Sequence, residues 1–189
     1  MNLSHSKTLE CLINAFAGES QARNRYTFYA KQAKKEGYEQ IAAIFLETAD
    51  NEKQHAKMFY KHIPADKYQV TGYYPFFLGN TYENLLAAAE GEREEWEYLY
   101  KQSAQTAKEE GFDEIALLFE RIVDIEKRHA HRFSTLAYKL KENSFFIKDE
   151  ETQWVCRKCG HTQICKTAPK ECVVCKHPQG YFEIYNEKI

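Results

Sequence analysis

Two short patterns set a carboxylate and an imidazole three residues apart, Glu52-x-x-His55 and Glu126-x-x-His129. On a helix that spacing puts both side chains on one face, a turn apart. In each case the face is the apolar one: Phe45, Ala49, Ala56 and Phe59 surround the first pair, and Phe119, Val123, Ala130 and Phe133 the second. Glu19 falls in a stripe of Leu9, Leu12, Phe16, Tyr26 and Ala30, and Glu92 and Glu95 fall in one of Leu85, Ala88 and Leu99. Five glutamates therefore point into a hydrophobic interior, with no lysine or arginine stripe on these faces to balance them. Burying one unpaired carboxylate costs several kcal/mol, and several together also repel. Two divalent cations would remove most of that cost. A glutamate from each of two helices plus Glu-x-x-His from each of two others is the donor set of two-metal carboxylate bundles. A single such pair is most often a solvated charge face; two symmetric copies inside apolar stripes are not.

The second cluster is sulfur. Cys156-Arg-Lys-Cys159 and Cys172-Val-Val-Cys175 are separated by twelve residues, a spacing that makes a tetrahedral four-thiolate site for zinc or iron. Cys11 and Cys165 are read as small residues without a chemical role. His62, His131, His161 and His177 have no matching partners and are read as surface residues.

An internal repeat accounts for the elements that hold these groups. The segment from Gly37 to Phe59 matches that from Gly111 to Phe133 at a constant offset of 74, with Ile41, Ala42, Phe45, Asp50, Glu52, Lys53, His55, Ala56 and Phe59 recurring identically. Long proline-free runs rich in Ala, Glu, Lys, Gln and Leu flank each glycine, which predicts two helical hairpins turning at Gly37 and Gly111. Between them His62–Thr81 holds Pro64, Gly72, Pro75 and Gly79; Asn80 or Thr81 with Glu83 caps the next helix. About 20 extended residues reach roughly 60 Å, enough to run the length of a four-helix bundle with one long crossover, as in ferritin-like folds. Glu19 and Glu92 are offset by 73 but Tyr26 and Tyr100 by 74. One extra residue between Glu92 and Tyr100 predicts a π-bulge, a common mark of a functional site in a helix. Tyr26 and Tyr100 either fill core space or hydrogen-bond a bridging glutamate.

After Lys141 the pattern changes to a segment read as linker and then a Cys-, Lys-, Pro- and Gly-rich tail, too small to fold without a metal staple.

AFAGESQARNRY at 15–26, ETADNEKQHAK at 47–57, GEREE at 91–95 and IEKRHAHRF at 125–133, followed by the paired CxxC motifs, resemble the rubrerythrin family. The resemblance implies a mainly α fold: a ferritin-like di-iron four-helix bundle over 1–145, a linker at 146–152 and a rubredoxin-like Fe(Cys)4 β domain over 153–189. It implies that Glu52 and Glu126 bridge two irons. Glu19 would be terminal on one, Glu92 and His129 on the other, and Glu95 and His55 would exchange on the first with oxidation state, since carboxylate suits ferric and imidazole ferrous iron. Cys156, Cys159, Cys172 and Cys175 would hold a third iron, with zinc as a possible substitute; Val173, where the family usually has proline, departs from its pattern. Implied too are reduction of hydrogen peroxide to water in oxidative-stress defence, electrons from an NAD(P)H-dependent reductase or a rubredoxin, and a homodimer or larger homo-oligomer. Glu95, His55, Tyr26 and Tyr100 are the residues it marks for catalysis.

Bulk properties agree with that class. With 43% hydrophobic and 29% charged residues the 189-residue chain reads as a soluble protein, and a net charge of -2 points to neither nucleic acid nor an anionic membrane. No apolar run approaches the ~18 residues of a membrane span, and the start, MNLSHSKTLECLINAF, lacks a secretory pattern, so a cytoplasmic protein is expected. Two other readings compete: a ferroxidase or iron store, which would not require the cysteine domain, and a zinc-ribbon interaction protein on a structural bundle, which leaves the buried carboxylates unexplained.

Overall fold

A computed structural model of the chain describes residues 2–186. Helix α1 (Lys7–Lys35) turns back into α2 (Glu39–Tyr60), and a long crossover leads to α3 (Thr81–Glu94), a π-helical turn (Glu95–Leu99) and α4 (Tyr100–Glu109). Helix α5 (Asp113–Lys141) completes the bundle, with α1 packed on α2, and α3 and α4 on α5. Among the described residues no helix is long and apolar enough to cross a membrane.

Both hairpins turn as the sequence predicts. Gly37 and Gly111 have φ of 82° and 83°, a conformation that costs glycine nothing. Around them Tyr38 N bonds Ala33 O and Phe112 N bonds Ala107 O, closing the last carbonyls of α1 and α4. Asn80 and Glu83 form the expected capping box on α3.

The repeat has a second consequence, which is reciprocal capping. Glu110 of the second turn accepts from Lys7 N, Thr8 N and Thr8 Oγ1 at the start of α1 (3.0, 2.8 and 2.6 Å). Its counterpart Glu36 accepts from Thr81 N at the start of α3 (2.9 Å). A carboxylate satisfies amides that a helix start leaves unbonded and suits its positive end. These contacts put the start of α3 beside the first turn, so the crossover must run the length of the bundle. The Thr8 hydrogen bonds hold the Glu110 carboxyl below its ordinary 4.5, so its contribution to stability is present above that value and disappears as pH falls through the lower folded one. Glu110→Ala should melt a few degrees below the parent at pH 7, with the gap closing under acid; a gap unchanged down to pH 3 would show that the charge is not what matters.

The core is in two parts. One gathers Tyr26, Tyr29, Phe45, Leu85 and Phe133; the other gathers Leu12, Phe59, Tyr100, Phe119 and Ile122. Repeat-related ring pairs centre them, Phe45–Phe133 at 5.1 Å and Phe59–Phe119 at 4.9 Å. Between them lies a polar layer.

The tail is a three-stranded antiparallel sheet, β2 (Thr162–Thr167), β1 (Ile147–Cys156), β3 (Phe182–Ile184), over buried Trp154, Ala168 and Phe182. Residues 147–152, expected as linker, are the first half of β1: Ile147 pairs with Thr167, the register slips, and pairing resumes at Thr152 with Cys165. The run Lys148–Glu151 is too charged to read as strand, because this part of β1 is largely exposed and buries no apolar face. Phe146 packs against both the bundle and the tail, stacked 6.1 Å from Tyr38. Gly180 sits so close to Gly37 that a Cβ would collide with the Gly37 carbonyl. The tail is therefore seated on the end of the bundle where α1 turns into α2.

Candidate metal centres

The polar layer is built from one side chain or pair on each of four helices: Glu19 from α1, Glu52 and His55 from α2, Glu92 from α3, Glu126 and His129 from α5, all buried. Their donor atoms form two groups, Glu19–Glu52–His55–Glu126 and Glu52–Glu92–Glu126–His129, each within 4.8 Å. Glu52 and Glu126 belong to both. His55 Nδ1 lies 2.8 Å from Glu52 and from Glu126, and 3.6 Å from Glu19. His129 Nδ1 lies 2.8 Å from Glu126, 3.3 Å from Glu52 and 3.4 Å from Glu92. The two-fold relation of the sequence repeat is thus reproduced in space.

The arrangement fits cations better than it fits protons. Glu19 Oε2, both oxygens of Glu52, Glu92 Oε2 and Glu126 Oε1 are buried without a hydrogen-bond partner, a state folded proteins rarely leave unexplained. Burial, then the Glu126 charge, pushes the Glu19 carboxyl well above 4.5, and the same causes lift Glu92 to about 7. Burial works against the charged form of His129, yet its hydrogen bond to Glu126 and the neighbouring carboxylates of Glu52 and Glu92 raise it to about 12. Oxygens and imidazoles in this proportion suit iron or manganese. This is the carboxylate–histidine cluster of a di-iron site.

The π-turn is present at the expected position, with Tyr100 N bonded to Glu95 O, five residues back. It adds the residue that keeps both Glu92 and Tyr100 facing inward. It also displaces two others. Leu99, expected in the apolar stripe, is 46% exposed, because the wide turn swings it outward. Glu95 is half-buried and stands outside both donor groups, beside Gly18 on α1.

Tyr26 and Tyr100 do hydrogen-bond carboxylates, but not the pair shared by both groups. The Tyr26 hydroxyl donates to Glu92 Oε1, and Tyr100 donates to Glu19 Oε1 at 2.7 Å. Each tyrosine crosses to the glutamate of the other hairpin, a pairing that depends on interhelical distance and leaves no trace in spacing. Asn51 was not anticipated at all. Its Oδ1 lies 3.3 Å from His129 Nε2, and its repeat counterpart is Ile125, so His55 has no equivalent anchor. The available signal was a polar-for-apolar exchange lying between two identical pairs, Asp50/Asp124 and Glu52/Glu126.

In the tail the four cysteine sulfurs converge within 4.8 Å, with Cys156–Cys175 at 3.6 Å and Cys159–Cys172 at 3.7 Å. The knuckle amides of Cys175 and Val174 lower the Cys172 thiol to about 7, as a thiolate ligand requires. His161 and His177 are more than surface residues: their carbonyls accept from Cys156 N and Cys172 N, both at 2.8 Å, and the His177 ring packs on Tyr181. Cys11, Cys165, His62 and His131 join no metal-binding group among the described residues.

Comparison with known proteins agrees with this geometry. A family model described as rubrerythrin matches residues 10–137, and one described as the rubrerythrin rubredoxin-like domain matches 154–183. The chain is 52% identical to rubrerythrin-1 of Clostridium acetobutylicum, covering 98% of both chains, and 50% identical to rubrerythrin of Porphyromonas gingivalis, covering 96% of this chain and 92% of that one. Among solved structures it is similar to mixed-valence nigerythrin (TM-score 0.64, 29% identity, 94% of this chain and 86% of that one). A bacterioferritin of Desulfovibrio desulfuricans matches the bundle (TM-score 0.66, 25% identity, 73% and 82%).

Proposed function

The chain belongs to the rubrerythrin family, and from that footing we propose that it reduces hydrogen peroxide to water, with electrons relayed through the tetracysteine iron. The observation that carries this reading is the union, in one chain, of a two-metal carboxylate site and a four-thiolate site. A ferroxidase or iron store has no use for the second. Two ferrous ions in the bundle would supply two electrons and the Lewis acidity that stabilises oxygen leaving as hydroxide.

The side chains have separable tasks. Glu52 and Glu126, common to both donor groups, would be shared by the two metals; Glu19 and His55 would complete one site, Glu92 and His129 the other. The Asn51 oxygen accepts from His129 Nε2 and fixes Nδ1 as the ligating atom. His55, facing no such acceptor at position 125, is the imidazole free to exchange with Glu95. Tyr26 and Tyr100 orient Glu92 and Glu19. Glu95, at the edge of the layer, is the residue best placed to hand a proton to departing oxygen. Asn51→Leu is expected to weaken metal binding about 10- to 100-fold, read by titration of the metal-free protein with cobalt(II); unaltered affinity would remove its positioning role. Glu95→Ala should fold normally yet slow oxidation by peroxide about 10²-fold or more, and full speed would sink the exchange role.

Electron delivery favours a second copy of the chain. The tail is seated at Gly37, and His55 lies eighteen residues further along, roughly 27 Å of helix away. A homodimer can bring one copy's tetracysteine site to the other's bundle. An NAD(P)H-dependent reductase or a rubredoxin would refill it.

The test is anaerobic. Holoprotein is reduced until the ferric–thiolate colour bleaches, and hydrogen peroxide is added. Return of colour far faster than with air is the expected result; return with air alone would mean an oxidase or ferroxidase instead.

A further inference from the structure

Hydrogen peroxide does not need the cavity that this bundle carries. A space of about 430 Å³ lies between α1 and the α3–α4 helix, beneath the crossover, against roughly 30 Å³ for a water-sized molecule. Pockets of that size hold organic molecules of several carbons or more. Its lining is largely apolar, with Ala15, Leu99 and Pro75 among the wall residues.

One wall is shared with the metal layer. Glu95 lines the cavity while facing the charges of Glu19, Glu92, Glu126 and Glu52 behind it. Tyr100 also lines it, with its hydroxyl on Glu19. At this wall α1 carries Gly18, where a Cβ would stand 4.0 Å from both Glu95 Oε1 and the Tyr74 ring. Any longer side chain there would project into the space beside Glu95. Further along, Arg25 lines the same cavity, and its Nη1 is buried with no hydrogen-bond partner. A donor left unpaired costs free energy that a polar group on a bound molecule would recover.

We propose that this cavity binds the organic part of alkyl and aryl hydroperoxides, so that the centre reduces ROOH as well as hydrogen peroxide; the redox half rests on the peroxide-reductase reading above. The balance is ROOH + 2e⁻ + 2H⁺ → ROH + H2O. The O–O bond breaks, the reduced two-metal centre would give both electrons, and the two protons come from solvent, one of them by way of Glu95. The oxygen on carbon leaves as alcohol and the distal one as water. The R group stays in the cavity and only the peroxide end passes Glu95.

Cumene hydroperoxide is the probe, added anaerobically to fully reduced holoprotein beside a hydrogen peroxide control. The products separate two-electron reduction, which gives 2-phenyl-2-propanol, from one-electron cleavage by stray ferrous iron, which gives acetophenone. Independently of turnover, saturation-transfer NMR reads binding of 2-phenyl-2-propanol to zinc-loaded protein. The expected result is reoxidation within about tenfold of the hydrogen peroxide rate, alcohol as product, and saturation transfer to it. Gly18→Leu should slow the cumene reaction about tenfold more than the hydrogen peroxide reaction. Leu99→Asp, at an exposed position where the fold is not at stake, should abolish the saturation transfer. Acetophenone as the main product, no transfer, or a Gly18→Leu variant that slows both oxidants alike would overturn the proposal. Fast hydrogen peroxide with inert cumene hydroperoxide overturns this inference alone. If neither oxidant reacts while the alcohol still binds, the peroxide-reductase reading has failed and the redox half falls with it.

Discussion

Glu126→Ala should empty both metal positions in the bundle and stop oxidation of the reduced protein by peroxide, a loss of roughly 10³-fold or more. The size of the effect follows from membership: Glu126 supplies an oxygen to each donor group, and both imidazoles lie 2.8 Å from it. In the metal-free chain Glu126 is the carboxyl held below 4.5, because the two histidines outweigh its burial and the nearby Glu52 charge. Removing it leaves His55 beside Glu19 and His129 beside Glu92, carboxyls that burial already drives toward the neutral form. Two measurements separate binding from folding. Metal analysis should find only the tetracysteine metal, and the rise in melting temperature that ferrous iron gives the parent protein should vanish. A variant that retains two bundle metals would mean that Glu52 alone can bridge them, and the shared-ligand assignment would be wrong.

Cys156→Ser should divide the reaction into two halves. Oxidation of the chemically reduced bundle by peroxide should proceed as in the parent, while turnover driven by a reductase and NAD(P)H should fall at least about 10²-fold, since the two metal sites then act on separate errands. Cys156 is buried, its sulfur 3.6 Å from Cys175, and its amide is bonded to His161 O. Serine leaves that backbone bond in place but loses the soft ligand that favours iron in a four-thiolate site. The ferric–thiolate colour should disappear with the turnover. Undiminished turnover in a colourless variant would mean that the tail is no relay, and a zinc-bound structural tail would then be the better description.

Much of this was legible beforehand because helices report their buried faces locally. Glu52 with His55 and Glu126 with His129 could be placed on inner faces from neighbouring phenylalanines alone, and the offset change from 73 to 74 located the π-turn that the structure has at Glu95–Leu99. The consequence of that turn was less legible. Leu99 looked like core and is exposed, because a one-residue insertion changes which side chains face inward only beyond the point of insertion. Strand β1 was missed through half its length, since an exposed charged strand has no apolar alternation to betray it.

Composition and spacing, then, determined the donor atoms, their grouping by helix, the bundle with its crossover and the four-thiolate tail, because each follows from periodicities of a few residues. Only the tertiary structure decided that Tyr26 serves Glu92 and Tyr100 serves Glu19, that Asn51 anchors one histidine and not the other, and that Glu95 divides the metal layer from a cavity. It alone seated Gly180 on Gly37. These are contacts between residues far apart in the chain, and their geometry depends on how whole helices pack, a quantity that no local pattern encodes.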